Sequence, residues 1–164
     1  MARPSSARIF SSVLRDYTSC LKRIAPAANR AESMQTFVDV VWDELRSTHI
    51  SWIGFYLPGD AHSLVLGPRR DKPACSPIGL HGACGQAFLN RRIMVVKDVA
   101  ELGEGYIACD PRDRSEIVIP LFEADGSVWG VLDVDSHELS AFSEEDSAGF
   151  TQLLLKAGLT SEIE

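Results

Sequence analysis

Three cysteines and three carboxylates are the residues of this sequence whose types and spacing best fit chemistry. Cys109 stands in the stretch YIACDPRDRSEIVIPL, just before a predicted β-strand and beside five charged residues: Asp110, Arg112, Asp113, Arg114 and Glu116. The arginines favour the reactive thiolate form of Cys109, whereas the two aspartates oppose it. Cys75 and Cys84 lie in another long loop. Two or three thiols over one pocket fit an attacking thiol and a resolving thiol.

The carboxylates form a second pattern. Asp133 and Asp135 alternate in GVLDVDS, so both side chains stand on one face of a strand, roughly 7 Å apart. With Glu116 on a neighbouring strand they would form an acidic cup, suited to an ammonium group or to one carboxyl held protonated. Trp52 and Tyr56 of SWIGFYL would line its apolar wall. Simple exposure of the aspartates at a strand end and ordinary packing of the aromatics stay open as alternatives.

A metal site is a weaker interpretation of the same thiols. Cys75, Cys84, Cys109 and His81 make four potential zinc ligands, but their spacing contains no Cys-x2-Cys pair. We therefore expect no metal. A phosphate loop, a dinucleotide fingerprint and a Gly-x-Ser-x-Gly elbow are absent from the sequence. The remaining histidines are expected to be exposed at loop or strand ends: His49, His62 and His137.

Composition narrows the class of protein. The 164 residues fit one domain with a real core, and no apolar run approaches the length of a membrane span. A net charge of −7 argues against nucleic acid or an anionic membrane as partner. Four cysteines without a secretory signal indicate a reducing compartment, so we expect a cytoplasmic protein.

The N-terminal segment leaves two interpretations. We expect residues 1–12 to be a flexible tail and residues 13–164 to be a single domain. However, MARPSSARIFSSVLR carries three arginines, four serines and no acidic residue, which is the composition of an organelle transit peptide. Organelle targeting by residues 1–15 therefore stays open.

Hydrophobic periodicity predicts three helices: one over residues 13–24, one that begins near Glu32, and one that begins after Ser143. Ser143 and Asp146 have the spacing of a capping box at the start of the third helix. Alternation predicts strands in ISWIGFYL, SLVLG, IMVVKDV, SEIVIPLF and SVWGVLDVDS, the last two joined by a turn at Asp125-Gly126. Residues 68–92 look irregular, with a short helix near CGQAFLN. This order predicts an α+β fold, an antiparallel sheet with helices gathered on one face.

The two faces of that sheet are predicted to differ. The face under the helices is apolar: Ile53, Phe55, Leu57, Ile117, Ile119, Leu121, Leu132 and Val134. The opposite face mixes aromatics with carboxylates: Trp52, Tyr56, Glu116, Val118, Val131, Asp133 and Asp135. We interpret the second face as the floor of a pocket roofed by the two long loops.

Several stretches together resemble one family. SWIGFYL, LVLGPRRDKPACSPI, GACGQA, YIACDPRDRSEIVIPL and GVLDVDSHELSAFSEED are similar to the free methionine-(R)-sulfoxide reductases, single-domain enzymes of the GAF fold. The resemblance covers roughly residues 50–150. It implies a six-stranded antiparallel sheet, with the N- and C-terminal helices on one face, and a homodimer. It also implies that the enzyme reduces free L-methionine-(R)-sulfoxide without a bound cofactor. External thioredoxin would then reduce the oxidised enzyme.

The resemblance also implies residue roles. Cys109 would attack the substrate sulfur, Cys75 would resolve the sulfenic acid as a disulfide, and Cys84 would take part in the relay; whether Cys109 or Cys84 attacks first stays open. Substrate binding and proton transfer would fall to the cup and its aromatic wall: Glu116, Asp133, Asp135, Trp52 and Tyr56. One departure from the family is His81 in IGLHGACG, which bears on rate more than on identity.

Two other functions compete with this interpretation. A non-catalytic GAF module would bind a small ligand and regulate a partner, but it would leave the extra thiols unexplained. A peroxide-sensing thiol protein would form a disulfide with peroxide, yet it would show no turnover that depends on a substrate.

Overall fold

The computed structural model describes residues 14–106 and 109–163, so residues 1–12, the expected tail, lie outside it. The helices are α1 (Thr18–Arg23), α2 (Arg30–Leu45), α3 (Ala83–Asn90) and α4 (Glu144–Lys156), with a 3-10 segment at Val99–Gly105. The strands are β1 (Trp52–Pro58), β2 (Ser63–Arg70), β3 (Ile78–Gly79), β4 (Met94–Val96), β5 (Ser115–Phe122) and β6 (Val128–Ser136). Within the described ranges, none of the helices has the length and apolarity needed to cross a bilayer.

The six strands form one antiparallel sheet in the order β3-β2-β1-β6-β5-β4. Strand β6 lies near the centre, between β1 and β5. The expected six-stranded antiparallel sheet of an α+β fold is therefore confirmed, and so is the hairpin turn at Asp125-Gly126 between β5 and β6.

One face of the sheet carries the main core, as its alternation predicts. Phe55 and Ile117 are fully buried against α2 and α4, and the rings of Phe55 and Phe37 meet edge to face at 5.6 Å between centroids. The capping box of Ser143 and Asp146 opens α4, as expected. Cys20 on α1 is also fully buried, so it serves as a small apolar side chain.

Near the N-terminus the first helix is shorter than predicted. The Asp16 side chain accepts a hydrogen bond from the Thr18 N–H at 2.9 Å, and the helix begins there. Leu14, placed by periodicity on the buried stripe, is 79% exposed, so that assignment is wrong. The neighbouring Arg15 instead provides the anchor, because it is buried and pairs with Asp146 of α4 at 3.0 Å.

The segment 68–92 is more regular than its Gly and Pro content predicts. Strand β2 continues to Arg70 because it pairs with β1 beyond SLVLG, with a register shift between Gly54 and Tyr56. The short strand β3 pairs with the start of β2, and the expected helix at CGQAFLN is α3. Helix α3 and the loops around it cover the second face of the sheet, where Cys84 and Ala87 pack with Trp52 and Val118.

Candidate active site

Strands β1, β5 and β6 form the floor of a pocket of about 570 Å³, including its open mouth. Asp135 on β6 lies directly opposite Glu116 on β5 and Trp52 on β1. Asp133, two residues earlier, points to the same face. Antiparallel register therefore brings the three carboxylates together on one face of β5 and β6, beside β1. One oxygen of each carboxylate lies within 4.8 Å of one oxygen of the others.

The carboxylates of the cup, Glu116, Asp133 and Asp135, lie in an environment that opposes ionisation. Burial raises the pKa of all three above the ordinary carboxyl range, and mutual repulsion adds to the effect at the two aspartates. Glu116 and Asp133 are 5% and 6% exposed, and Glu116 Oε1 and Asp133 Oδ1 have no hydrogen-bond partner among the residues that the structure describes. The cup can thus hold a proton at a pH where an exposed carboxyl is ionised, and it can accept a cationic ligand that donates hydrogen bonds.

Burial of the ionised Asp133 carboxylate is expected to lower the stability of the fold at high pH. Because the pKa of Asp133 is higher in the folded state than in the unfolded state, proton binding by this carboxyl stabilises the fold. This stabilisation is complete below the unfolded-state pKa and is lost as pH rises through the folded-state pKa. We expect Asp133→Asn to raise the free energy of unfolding by about 1–3 kcal/mol at pH 8, with a smaller gain at pH 4. Urea unfolding at both pH values measures the difference. Glu162→Gln, at an exposed position near the C-terminus, is the control, and an equal gain from Asp133→Asn at both pH values contradicts the prediction.

Two aromatic side chains of β1, Trp52 and Tyr56, form the apolar wall and also hold the loop above it. Their ring centroids are 6.1 Å apart, and the Trp52 ring lies over Gly54, where a Cβ atom would clash with it. The Trp52 indole N–H donates to the Lys72 carbonyl at 3.0 Å, and the Tyr56 hydroxyl donates to the Cys75 carbonyl at 2.9 Å. The floor of the pocket thereby fixes the backbone of the loop that carries Cys75.

At the mouth of the pocket Cys75 and Cys109 form a disulfide, with 5.5 Å between their Cα atoms. Both residues are exposed, and Cys109 lines the pocket. A redox-active pair is accessible to an external dithiol only if its sulfur atoms can be reached from solvent. The two loops of the pocket roof therefore present a disulfide that a reductant can reach.

Cys84 has a different environment from these two cysteines. It lies in the first turn of α3, is 6% exposed and faces the acidic cup. Burial raises the pKa of the Cys84 thiol well above its ordinary value, and the negative charges of Asp133 and Glu116 raise it further. The thiol is therefore protonated at neutral pH, because the helix N-terminus that would favour a thiolate is outweighed.

Beside the disulfide, the Asp110 carboxylate contacts three basic side chains. It forms an ion pair with Lys72, accepts from Arg112 Nε at 3.0 Å and lies 3.1 Å from His137 Nε2. Burial lowers the pKa of His137, so its contact with Asp110 is a hydrogen bond of a neutral ring. Two expectations change here: His137 is partly buried and paired rather than exposed, and the arginine nearest to Cys109 in sequence is engaged by Asp110.

The zinc interpretation gains no support from the described part of the chain. Cys75 and Cys109 are bonded to each other, His81 is exposed, and no group of potential metal ligands in that part contains a cysteine. The two groups that do occur are the acidic cup and the set Asp110, Asp113 and His137. The second already holds the Lys72 ammonium.

All eight site residues singled out in the sequence line this pocket or bond to a residue that lines it: Cys75, Cys84, Cys109, Trp52, Tyr56, Glu116, Asp133 and Asp135. Sequence reasoning did not single out Lys72 or the half-buried Tyr106, which also line it. The signal for Lys72 was its position three residues before Cys75 in KPAC.

Comparison with known proteins agrees with this architecture. The chain matches the GAF domain family over residues 27–159. It is 43% identical over 111 residues to the free methionine-R-sulfoxide reductase of Escherichia coli, covering 66% of this chain and 65% of that protein. It is 42% identical over 104 residues to GAF domain-containing protein A of Dictyostelium discoideum, covering 63% and 65%. The chain thus spans slightly less than two thirds of the length of these relatives.

A solved structure extends the similarity over nearly the whole fold. The free methionine-R-sulfoxide reductase of Neisseria meningitidis, determined in complex with its substrate, superposes with a TM-score of 0.77 at 32% identity. The match covers 90% of this chain and 91% of that one. The chain therefore belongs to the GAF domain family, and within that family it groups with the free methionine-R-sulfoxide reductases.

Proposed function

We propose that this protein reduces free L-methionine-(R)-sulfoxide to methionine. The observation that carries the proposal is a solvent-accessible disulfide, Cys75–Cys109, at the mouth of a pocket whose floor holds three carboxylates, two of them buried and Asp135 half-buried. The similarity to reductases from Escherichia coli and Neisseria meningitidis supports the same activity.

The first chemical step joins the thiol and the acidic cup. The Cys109 thiolate attacks the sulfoxide sulfur, and a neutral carboxyl of the cup protonates the sulfoxide oxygen, which is otherwise a poor leaving group. The attack forms a bond between the Cys109 sulfur and the substrate sulfur. The protonated oxygen then passes from the substrate sulfur to the Cys109 sulfur as the S–O bond and this S–S bond break, so methionine leaves with the electron pair and Cys109 becomes a sulfenic acid. The protonated state of Cys84 favours Cys109 as the attacking thiol.

The later steps restore the thiol. The Cys75 thiol condenses with the sulfenic acid of Cys109, which releases water and forms the disulfide. An external dithiol of the thioredoxin class then reduces this disulfide by exchange. Cys84 lines the same pocket as Cys109 and would take part in the disulfide relay. The proposal includes a homodimer and a cytoplasmic setting, where such a reductant is present.

Binding of a free amino acid follows from charge. An ionised carboxylate of the cup pairs with the substrate ammonium, and Trp52 and Tyr56 pack against the apolar part of the substrate. A methionine sulfoxide within a peptide has no such ammonium group. The site should therefore exclude it, since the buried carboxylates would remain unpaired.

The test is NADPH consumption with thioredoxin and thioredoxin reductase, using separated epimers of free methionine sulfoxide. We expect turnover with the R epimer, and at least about 10²-fold less with the S epimer or an N-acetylated R epimer. Turnover with no epimer would contradict the proposal and favour a small-ligand-binding regulatory module. Disulfide formation with peroxide alone, without turnover on the sulfoxide, would favour a thiol sensor.

A further inference from the structure

We propose that Lys72 is a positioning residue whose ion pair with Asp110 clasps the two cysteine loops together and stabilises the Cys75–Cys109 disulfide. This inference goes beyond the proposed function, because it concerns the cysteine pair itself and can be tested without any substrate.

The clasp joins the two loops at their reactive ends. Lys72 lies three residues before Cys75, and Asp110 directly follows Cys109, so the ion pair spans the same two loops as the disulfide. The Asp110 side chain is 11% exposed and that of Lys72 is 30% exposed. A pair this shielded is screened less by solvent than an open surface pair.

Both ends of the clasp are fixed in place. The Lys72 carbonyl accepts the Trp52 indole N–H from the floor strand β1. On the other side, Asp110 accepts from the backbone N–H and side chain of Arg112 and contacts His137 at the end of β6. Arg112 belongs to the same loop as Asp110 and cannot connect the two cysteines. Lys72 belongs to the loop that carries Cys75, so its ion pair with Asp110 does connect the two loops.

Linkage then gives the direction of the effect. The ion pair and the disulfide each restrict the same two loops, so forming one lowers the entropy cost of forming the other. The relevant equilibrium is protein dithiol plus oxidised glutathione giving protein disulfide plus two reduced glutathione. Two protein S–H bonds are lost, one protein S–S bond forms, and the glutathione disulfide takes up the two electrons and two protons. Loss of the clasp should shift this equilibrium toward the dithiol.

The experiment is a glutathione redox titration of the full chain, with the Cys75–Cys109 bond followed by thiol alkylation and peptide mass mapping. We expect Lys72→Met to lower the equilibrium constant about fivefold, which raises the reduction potential by about 20 mV because tenfold equals 29.6 mV. Lys72→Arg should restore most of the wild-type constant, since it keeps the charge. Arg70→Met is the control, because it removes a nearby, more exposed ion pair with Asp39 of α2 that joins no cysteine loop.

A double-mutant cycle separates the clasp from a general effect on folding. Asp110→Asn should lower the constant at least as much as Lys72→Met, and the double variant should differ little from Asp110→Asn alone. The proposal is overturned if Lys72→Met leaves the constant unchanged, if Arg70→Met shifts it equally, or if the two substitutions add fully. Activity on the sulfoxide does not enter this measurement, so failure of the proposed function leaves its outcome intact.

Discussion

Replacing Cys109 by serine is expected to lower turnover of the R sulfoxide by at least about 10³-fold, because a hydroxyl is a far weaker nucleophile at neutral pH than a thiolate. Cys109 is exposed at the pocket mouth and is bonded to Cys75, whereas burial, together with the neighbouring carboxylates, raises the pKa of the Cys84 thiol. Thioredoxin-coupled NADPH consumption, run with wild-type and variant at equal concentration, measures the loss.

The other cysteines supply the controls for that result. Cys20→Ala should retain full activity, since Cys20 is buried in the helical core away from the pocket. Cys75→Ser should still release about one methionine per chain and leave a sulfenic acid that a trapping reagent detects, because only the resolving step is lost. Turnover that survives Cys109→Ser but disappears in Cys84→Ser would move the nucleophile to Cys84.

Most of the floor of the site was predictable from sequence because a strand has a side-chain period of two. Once GVLDVDS and SEIVIPLF are assigned as strands, Glu116, Asp133 and Asp135 must share the face opposite to Ile117 and Val134. The sequence pattern therefore identified both the core face and the acidic cup before any register was known. Burial then converts three ordinary carboxyls into groups with raised pKa values, and that conversion depends on the loops above them.

The roof of the site was not predictable in the same way. Cysteine connectivity cannot be deduced from spacing, and Cys75 and Cys109 are separated by 34 positions. The contact of Lys72 with Asp110 depends likewise on how two loops close over the sheet. In a loop, unlike in a strand, the direction of a side chain does not follow a sequence period. The pairing of His137 and the anchoring of Cys75 by Tyr56 therefore leave no pattern in the sequence.

The acidic cup leads to the second large effect. We expect Asp133→Asn to lower kcat/KM for the R sulfoxide by at least about 10²-fold, because an amide cannot supply the proton that the departing oxygen needs. The same substitution is expected to stabilise the fold at pH 8. A loss of activity together with a gain in stability is typical of a group retained for chemistry at a cost to the folded state. Glu162→Gln, at an exposed position near the C-terminus, should change neither quantity.

The pH dependence of kcat/KM gives an independent measure of the cup. Because burial raises the pKa of its carboxyls, a neutral acid persists above the pH at which an exposed aspartate or glutamate is fully ionised. Activity should rise with pH as the attacking thiol ionises and then fall as pH passes through the raised carboxyl pKa, so the profile is bell-shaped. A profile that rises and stays level up to pH 9 would show that no carboxyl donates the proton. In that case the loss in Asp133→Asn would have to come from weaker binding of the substrate ammonium, and it would appear in KM rather than in kcat.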